Sequence, residues 1–194
     1  TQTTRATGLN YQDGIRVLDG SPEYLYLGTF HASAASKVTD SLSRRLIWNQ
    51  YNKVPRPFYA HDPTDSWTYS VNAWRKWNDS DDTRLDCVVG LQESLVWLKV
   101  DGLMENSDSS QMGFQIGINT TTGGYAQIVR GMYALGSIYT KQWYGADYFG
   151  YLNNIGYSYI HPLERASTTG TITVRGDGGQ PSFIKSGIYG WIMA

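Results

Sequence analysis

The chain reads as an all-β protein, an antiparallel β-sandwich of the jelly-roll kind with one short amphipathic helix at about 41–53. Three observations predict this. The composition is rich in Tyr (15), Trp (7) and Gly (21), with only 17% charged residues, a mix that suits strands, turns and contact surfaces rather than helical bundles. Short runs of alternating apolar and polar residues recur along the chain, the period of a half-buried strand. Turn-forming clusters separate those runs at roughly even spacing, as in sandwiches and barrels.

Taken in order, residues 1–22 (TQTTRATGLNYQDGIRVLDGSP) are polar, with turn signals at Asp13-Gly14 and Asp19-Gly20. They predict an extended N-terminal arm or linker with one short strand at Ile15–Leu18, ahead of a single domain over 23–194. EYLYLGTF then sets Tyr24, Tyr26 and Phe30 on one face and Leu25, Leu27 and Thr29 on the other. Asp40 can cap a helix, and Leu42, Leu46, Ile47, Tyr51 and Val54 recur at helical spacing until Pro55 stops the run. That pattern predicts the helix, a crossover capping the end of the sandwich. Pro55-Arg56-Pro57 is extended, and DPTDSWTYS turns into a strand.

Further strands follow. Leu85, Cys87, Val89 and Leu91 alternate. In SLVWLKVDGLM, Leu95 and Trp97 oppose Val96, Leu98 and Val100, so both faces are apolar, as for a strand between a core and an interface. Phe114, Ile116 and Ile118 alternate, YAQIVRGMY, SIYTKQWY and IGYSYIH are weaker, and TGTITVRG directs Ile172 and Val174 inward. The chain closes on IYGWIMA, and turns fall at 78–82, 106–110, 120–124 and 176–180.

The totals exclude several classes. Net charge is -1, and the basic residues are scattered, so nucleic acid is not an expected partner. No apolar run is long enough for a membrane helix. The single Cys87 cannot form an internal disulfide and reads as a buried, inert thiol. No secretory signal is visible; a start on Thr1 suggests a processed form or a fragment.

Catalytic signatures are missing. There is no GxSxG, Walker loop or HExxH, and no Cys/His metal spacing, so neither a cofactor nor a metal is expected. His31, His61 and His161 are isolated in sequence. Asp62 and Asp65, beside His61, could supply a carboxylate pair for a polysaccharide depolymerase or esterase, but DPTDS is ordinary turn chemistry. Asp79, Asp81 and Asp82 lie in NDSDD, a polar loop that fits no calcium register. Arg175-Gly176-Asp177 reads as a strand end and turn. Asn78-Asp79-Ser80 and Asn119-Thr120-Thr121 match the glycosylation acceptor pattern, which would be idle in a protein made in bacteria.

The aromatic residues form two clusters. Trp67, Tyr69, Trp74 and Trp77 make one; Trp143, Tyr144, Tyr148, Phe149 and Tyr151, in the loop-like KQWYGADYFGY, make the other. Flat rings beside Asp and Asn can stack on the apolar face of a sugar while the polar neighbours bond its hydroxyls. Trp143, Tyr144, Tyr148, Tyr151 and Trp77 are the candidate glycan contacts. Core or subunit interface is the alternative for all of them, and the favoured one for Trp67 and Trp74.

Four segments together carry a resemblance: YLYLGTF (24–30), TDSLSRRLIWNQYNKVPRPF (39–58), DPTDSWTYS (62–70) and GDGGQPSFIKSGIYGWIMA (176–194). They are similar to a domain of tailed-bacteriophage virion structural proteins, over most of the chain from about residue 22. The specific part is WNQYNKVPRP, with Lys53 where that pattern usually has Arg. The signature residues here are Asp40, Arg45, Trp48, Asn49, Tyr51, Asn52, Pro55, Pro57, Trp67 and Trp191. The resemblance implies a non-enzymatic component of the virion surface (a head or tail fibre, a spike or a decoration protein), often trimeric. Its partners would be itself, other virion proteins through the N-terminal arm, and host surface polysaccharide; a purely structural cement role is the third reading. No catalytic residues come with it.

Overall fold

The computed structural model describes residues 7–107, 111–123, 129–133, 142–177 and 185–194. Its strands in chain order are β1 (Leu9–Gln12), β2 (Ile15–Leu18), β3 (Ser21–Leu25), β4 (Gly28–Phe30), β5 (Asp40–Ser41), β6 (Arg44–Arg45), β7 (Ile47–Asn49), β8 (Pro55–His61) and β9 (Ser66–Tyr69). The remainder are β10 (Arg75–Lys76), β11 (Leu85–Val89), β12 (Leu95–Asn106), β13 (Gln111–Ile118), β14 (Val129–Tyr133), β15 (Gln142–Tyr151), β16 (Gly156–Arg165), β17 (Ile172–Arg175) and β18 (Gly187–Met193). Among the described residues the only helical element is a single 3₁₀ turn, Trp77–Asp79.

Two sheets form a sandwich, as the composition and alternation predict. The first runs β14-β13-β16-β11-β6-β5, with β10 also on β16; the second runs β8-β18-β12-β17-β9, with β15 on β12. Pairing is antiparallel apart from the short parallel match of β6 to β11. The inner faces meet in one core. Leu85, Cys87, Val89, Phe114, Ile116 and Ile160 come from the first sheet, and Val96, Leu98, Val100, Ile172, Val174, Ile188 and Ile192 from the second. Each such side chain contributes about 1.5–3 kcal/mol by leaving water. Cys87 is fully buried and its thiol is pushed up to about 12 by that burial, the inert state expected of it.

β12 organises the second sheet. On one side Leu95–Met104 pairs with β15, while on its other side β18 takes Val96–Asp101 and β17 takes Leu103–Asn106. β17 and β18 are thus two pieces of one strand, parted by residues 176–186 opposite the single residue Gly102. β8 and β9 repeat the break at the same level, because His61 pairs with Gly187 and Ser66 with Arg175. The break is pinned by backbone bonds. Gly176 N–H donates to Asp65 O (3.1 Å), Asp177 N–H to Thr64 O (3.2 Å) and Ser186 N–H to Gly176 O (3.2 Å).

The helix expected at 41–53 does not form. That stretch holds the β5–β6 hairpin and, one residue later, β7, which pairs with β4 instead. Two forces outweigh the helical spacing. Its buried members are Arg45, Leu46 and Trp48, whereas four of the five residues of the expected apolar stripe, Leu42, Ile47, Tyr51 and Val54, are exposed and only Leu46 is buried. Asn49 Oδ1 accepts the backbone N–H of Tyr51 (2.9 Å) and Asn52 (3.2 Å), a local turn that competes with helical bonding. Asp40 is not a helix cap; its carboxylate takes Arg45 and Arg56 instead.

The N-terminal segment also differs from a bare arm. β1, β2 and β3 make a small antiparallel sheet that extends past residue 22. β2 is the strand expected at Ile15–Leu18. The Asp13-Gly14 turn has positive φ at both positions (53° and 81°), as a two-residue hairpin loop requires. Val17 is buried, and Leu9 packs against the main core.

Candidate functional site

Four of the signature residues, Asp40, Arg45, Trp48 and Pro57, build a structural lock at one end of the sandwich. Arg45 donates through Nε (2.9 Å) and a terminal nitrogen (2.7 Å) to Pro57 O, and its other nitrogen pairs with Asp40 at 3.3 Å. This fork fastens the β5–β6 hairpin to the proline strand β8. Trp48 is buried, donates Nε1–H to Ser94 Oγ (2.6 Å) and lies under the Lys53 ammonium at 4.9 Å. Its indole sits flat against Gly90, where any Cβ would overlap the ring. Trp67 Nε1–H reaches across the core to Glu164 (2.7 Å), which also accepts from Arg75 Nε (2.8 Å) and Asn78 N–H (3.2 Å). Burial raises the Glu164 pKa, and these donors pull the other way.

The outer face of the second sheet carries the other kind of feature. Strand register places four residues in a row across it: Pro57 on β8, Trp191 on β18, Trp97 on β12 and Phe149 on β15. One step along the strands the row is Tyr59, Tyr189, Lys99 and Asp147; the next is His61, Gly187, Asp101 and Gly145. Side chains two apart share a face, so these rows form one contiguous surface. Phe149 meets Trp191 edge-on (centroids 6.4 Å), and Trp97 meets Tyr189 likewise (6.0 Å). Polar groups frame the rings. Lys99 Nζ lies 2.8 Å from Asp101, whose carboxylate accepts Tyr189 O–H at 2.6 Å. The Asp101 bond, with that of Tyr189, raises the Lys99 pKa to about 12. Gly145 leaves room for Asp101, whose carboxylate a Cβ there would strike.

The structure sorts the predicted glycan contacts by strand parity. Trp143 (54% exposed) and Tyr151 (50%) point outward on β15, with Phe149 (66%) between them. Tyr144 and Tyr148 (6% each) point into the core, as does Trp77 (0%), stacked between Trp67 and Phe114. These three cannot touch a surface ligand in this fold. Gln142–Tyr151 is a strand rather than a loop, so alternate rings face opposite ways. Trp97, Tyr189 and Trp191 complete the outward surface. The signal for them was present in the sequence: the apolar residues on both faces of 95–100.

The outer face of the first sheet is different again. Asp86 accepts Arg84 Nε (2.7 Å) and Tyr157 O–H (2.7 Å) and pairs with Arg44 at 3.4 Å. Arg84 also bonds Tyr157 and pairs with Asp81, which binds Lys76 at 2.8 Å. His31 stacks on Tyr157 (4.5 Å). Burial lowers the His161 pKa to about 4, so its imidazole is neutral at pH 7.

Two of the acidic and histidine candidates, Asp62 and His61, have structural partners. Asp62 is fully buried, accepting Thr64 N–H (2.9 Å) and Asn78 Nδ2–H (3.4 Å). His61 Nε2 lies 2.7 Å from Asp177, which draws that residue into the strand break and accounts for Arg175-Gly176-Asp177 as strand end and turn. Asn119 bonds Ser158 and Tyr159 through its amide. Among the described residues no cluster of three metal-ligating side chains occurs. No protein-family profile matches the chain, and comparison with curated proteins finds no significant match.

Proposed function

We propose that this chain is a non-enzymatic bacteriophage virion surface protein that holds host surface polysaccharide on the outer face of its second sheet. One observation carries the reading: Phe149, Trp97, Trp191 and Tyr189 make a continuous ring surface framed by Lys99, Asp101 and Asp147. A sheet presents such rings at fixed spacing with little entropy left to lose, which is what stacking on successive sugars needs. The virion assignment rests on the resemblance carried by WNQYNKVPRP, supported by the way those residues build the end lock. The same resemblance suggests a trimer. Tyr24, Leu25, Leu27 and Phe30 are exposed within one seven-residue stretch, which supports attachment to other virion proteins through the N-terminal region.

The test is binding of the labelled protein to intact bacteria with and without capsule or lipopolysaccharide, with light scattering read on the same sample. Saturable binding that disappears with the polysaccharide and in Trp97→Ala supports the reading. A folded oligomer that binds no cells, with these rings buried between subunits, would leave the decoration or cement role. Release of reducing ends from the polysaccharide would replace the reading with a depolymerase.

A further inference from the structure

An open cleft of about 560 Å³ lies where the N-terminal sheet meets the sandwich end, lined among others by Leu9, Arg16, Leu91, Glu93, Tyr151 and Ile155. Its size falls within the range of small-ligand sites. It is also continuous with the aromatic face. Tyr151 lines it and stands two residues along β15 from Phe149, on the same side of the strand.

The charges in the cleft are unevenly matched. Lys53 Nζ sits 2.7 Å from Glu93 Oε1, and that bond holds the Glu93 carboxyl below the usual carboxylate range. Arg16 is only 3.9 Å from the other Glu93 oxygen, beyond hydrogen-bond reach. Its guanidinium rests on the Tyr11 ring (4.3 Å), and its Nε–H is buried with no acceptor. Two cations, Lys53 and Arg16, thus face the one Glu93 carboxylate, which leaves one positive charge in excess. The planar guanidinium fork of Arg16, which lines the cleft, matches a pair of anionic oxygens.

We propose that this cleft is a subsite for an anionic sugar unit, a uronate carboxylate or a sugar phosphate, at one end of a chain lying on the aromatic face. Arg16 donates terminal N–H groups to the two oxygens, Tyr151 carries the sugar ring from the face into the cleft, and Leu9 and Ile155 line its apolar side. The proposal rests on the polysaccharide reading and adds charge selection to it.

The test is calorimetric titration of the full chain with tetragalacturonate, with its fully methyl-esterified form, and with a phosphorylated mannose oligosaccharide beside its dephosphorylated counterpart. The wild type should bind an acidic member about tenfold more tightly than its neutral partner, one charge-assisted contact. The acidic member that shows the preference identifies the anion. Arg16→Gln should erase the preference. Glu93→Gln should instead raise affinity for the acid by about twofold to fivefold, by removing the competing charge, a gain that misfolding cannot imitate. Neutral sugars bound equally well as acidic ones, or a preference that survives Arg16→Gln, overturns the cleft and leaves the aromatic face standing. Binding of no sugar at all overturns both.

Discussion

The two outer faces of the sandwich are built from the same strand chemistry and end in opposite states. On the first sheet Asp86 and Asp81 are each matched by cations, and Tyr157 spends its hydroxyl on Asp86. On the second sheet the rings touch chiefly one another, and Phe149, Trp143 and Tyr151 stand half or more in water. A face whose polar groups are satisfied internally offers a partner little. A face of unburied rings is either a binding surface or an interface, since large contiguous apolar patches are uncommon on surfaces that meet only water.

Four experiments would break or sharpen that contrast. The largest effect lies beneath both faces: Trp77→Ala should cost about 3–5 kcal/mol of stability by opening a cavity between Trp67 and Phe114. Phe149→Ala, an equally aromatic change on the outer face, should leave the melting temperature nearly unmoved; equal losses would abolish the inside–outside sorting. Next comes acid sensitivity, which belongs to the first sheet. His161 binds its proton at about 4 when folded and near its ordinary 6.5 when unfolded. Between those values only the unfolded chain holds the proton. Stability from this group is therefore complete above pH 6.5 and falls as pH drops toward 4, by roughly 3 kcal/mol in total. Denaturant melts from pH 7 to 4 on the wild type and His161→Gln should show the slope flattening in the variant.

Third, Trp97→Ala should weaken polysaccharide binding by roughly thirtyfold with the fold intact, as loss of a central ring anchor does; circular dichroism beside a binding titration reads both. Smallest is Arg84→Gln on the opposite face. It should cost about 1–2 kcal/mol of stability by leaving Asp86 and Tyr157 short of a partner, with no change in binding. A binding defect there would move the site to the first sheet.

Legibility in the sequence followed the range of the forces involved. Strand existence and the inward pair Ile172/Val174 were readable, because alternation is a local consequence of pleating. The false helix at 41–53 came from reading Ile47 and Tyr51 as buried. What decides that segment is distant: Ser94 for Trp48, the Pro57 carbonyl for Arg45. The aromatic site was half legible. Its composition showed, but the strand state of 142–151 did not, because Gly145 and Gly150 suggested a loop; Gly145 is there to admit Asp101. Trp191 and Trp97 are far apart in sequence, and only register makes them neighbours.

The paired interruption of β8/β9 and β17/β18 has a use of its own. β17 and β18 end and begin opposite one residue of β12, with Gly176 and Asp177 tied by backbone bonds to Asp65 and Thr64, and Ser186 tied to Gly176. Closing a longer loop between stems already held together adds little entropy cost. The pair of tied stems is thus a natural insertion point: foreign peptides of varied length could be joined between them while the sandwich keeps its register.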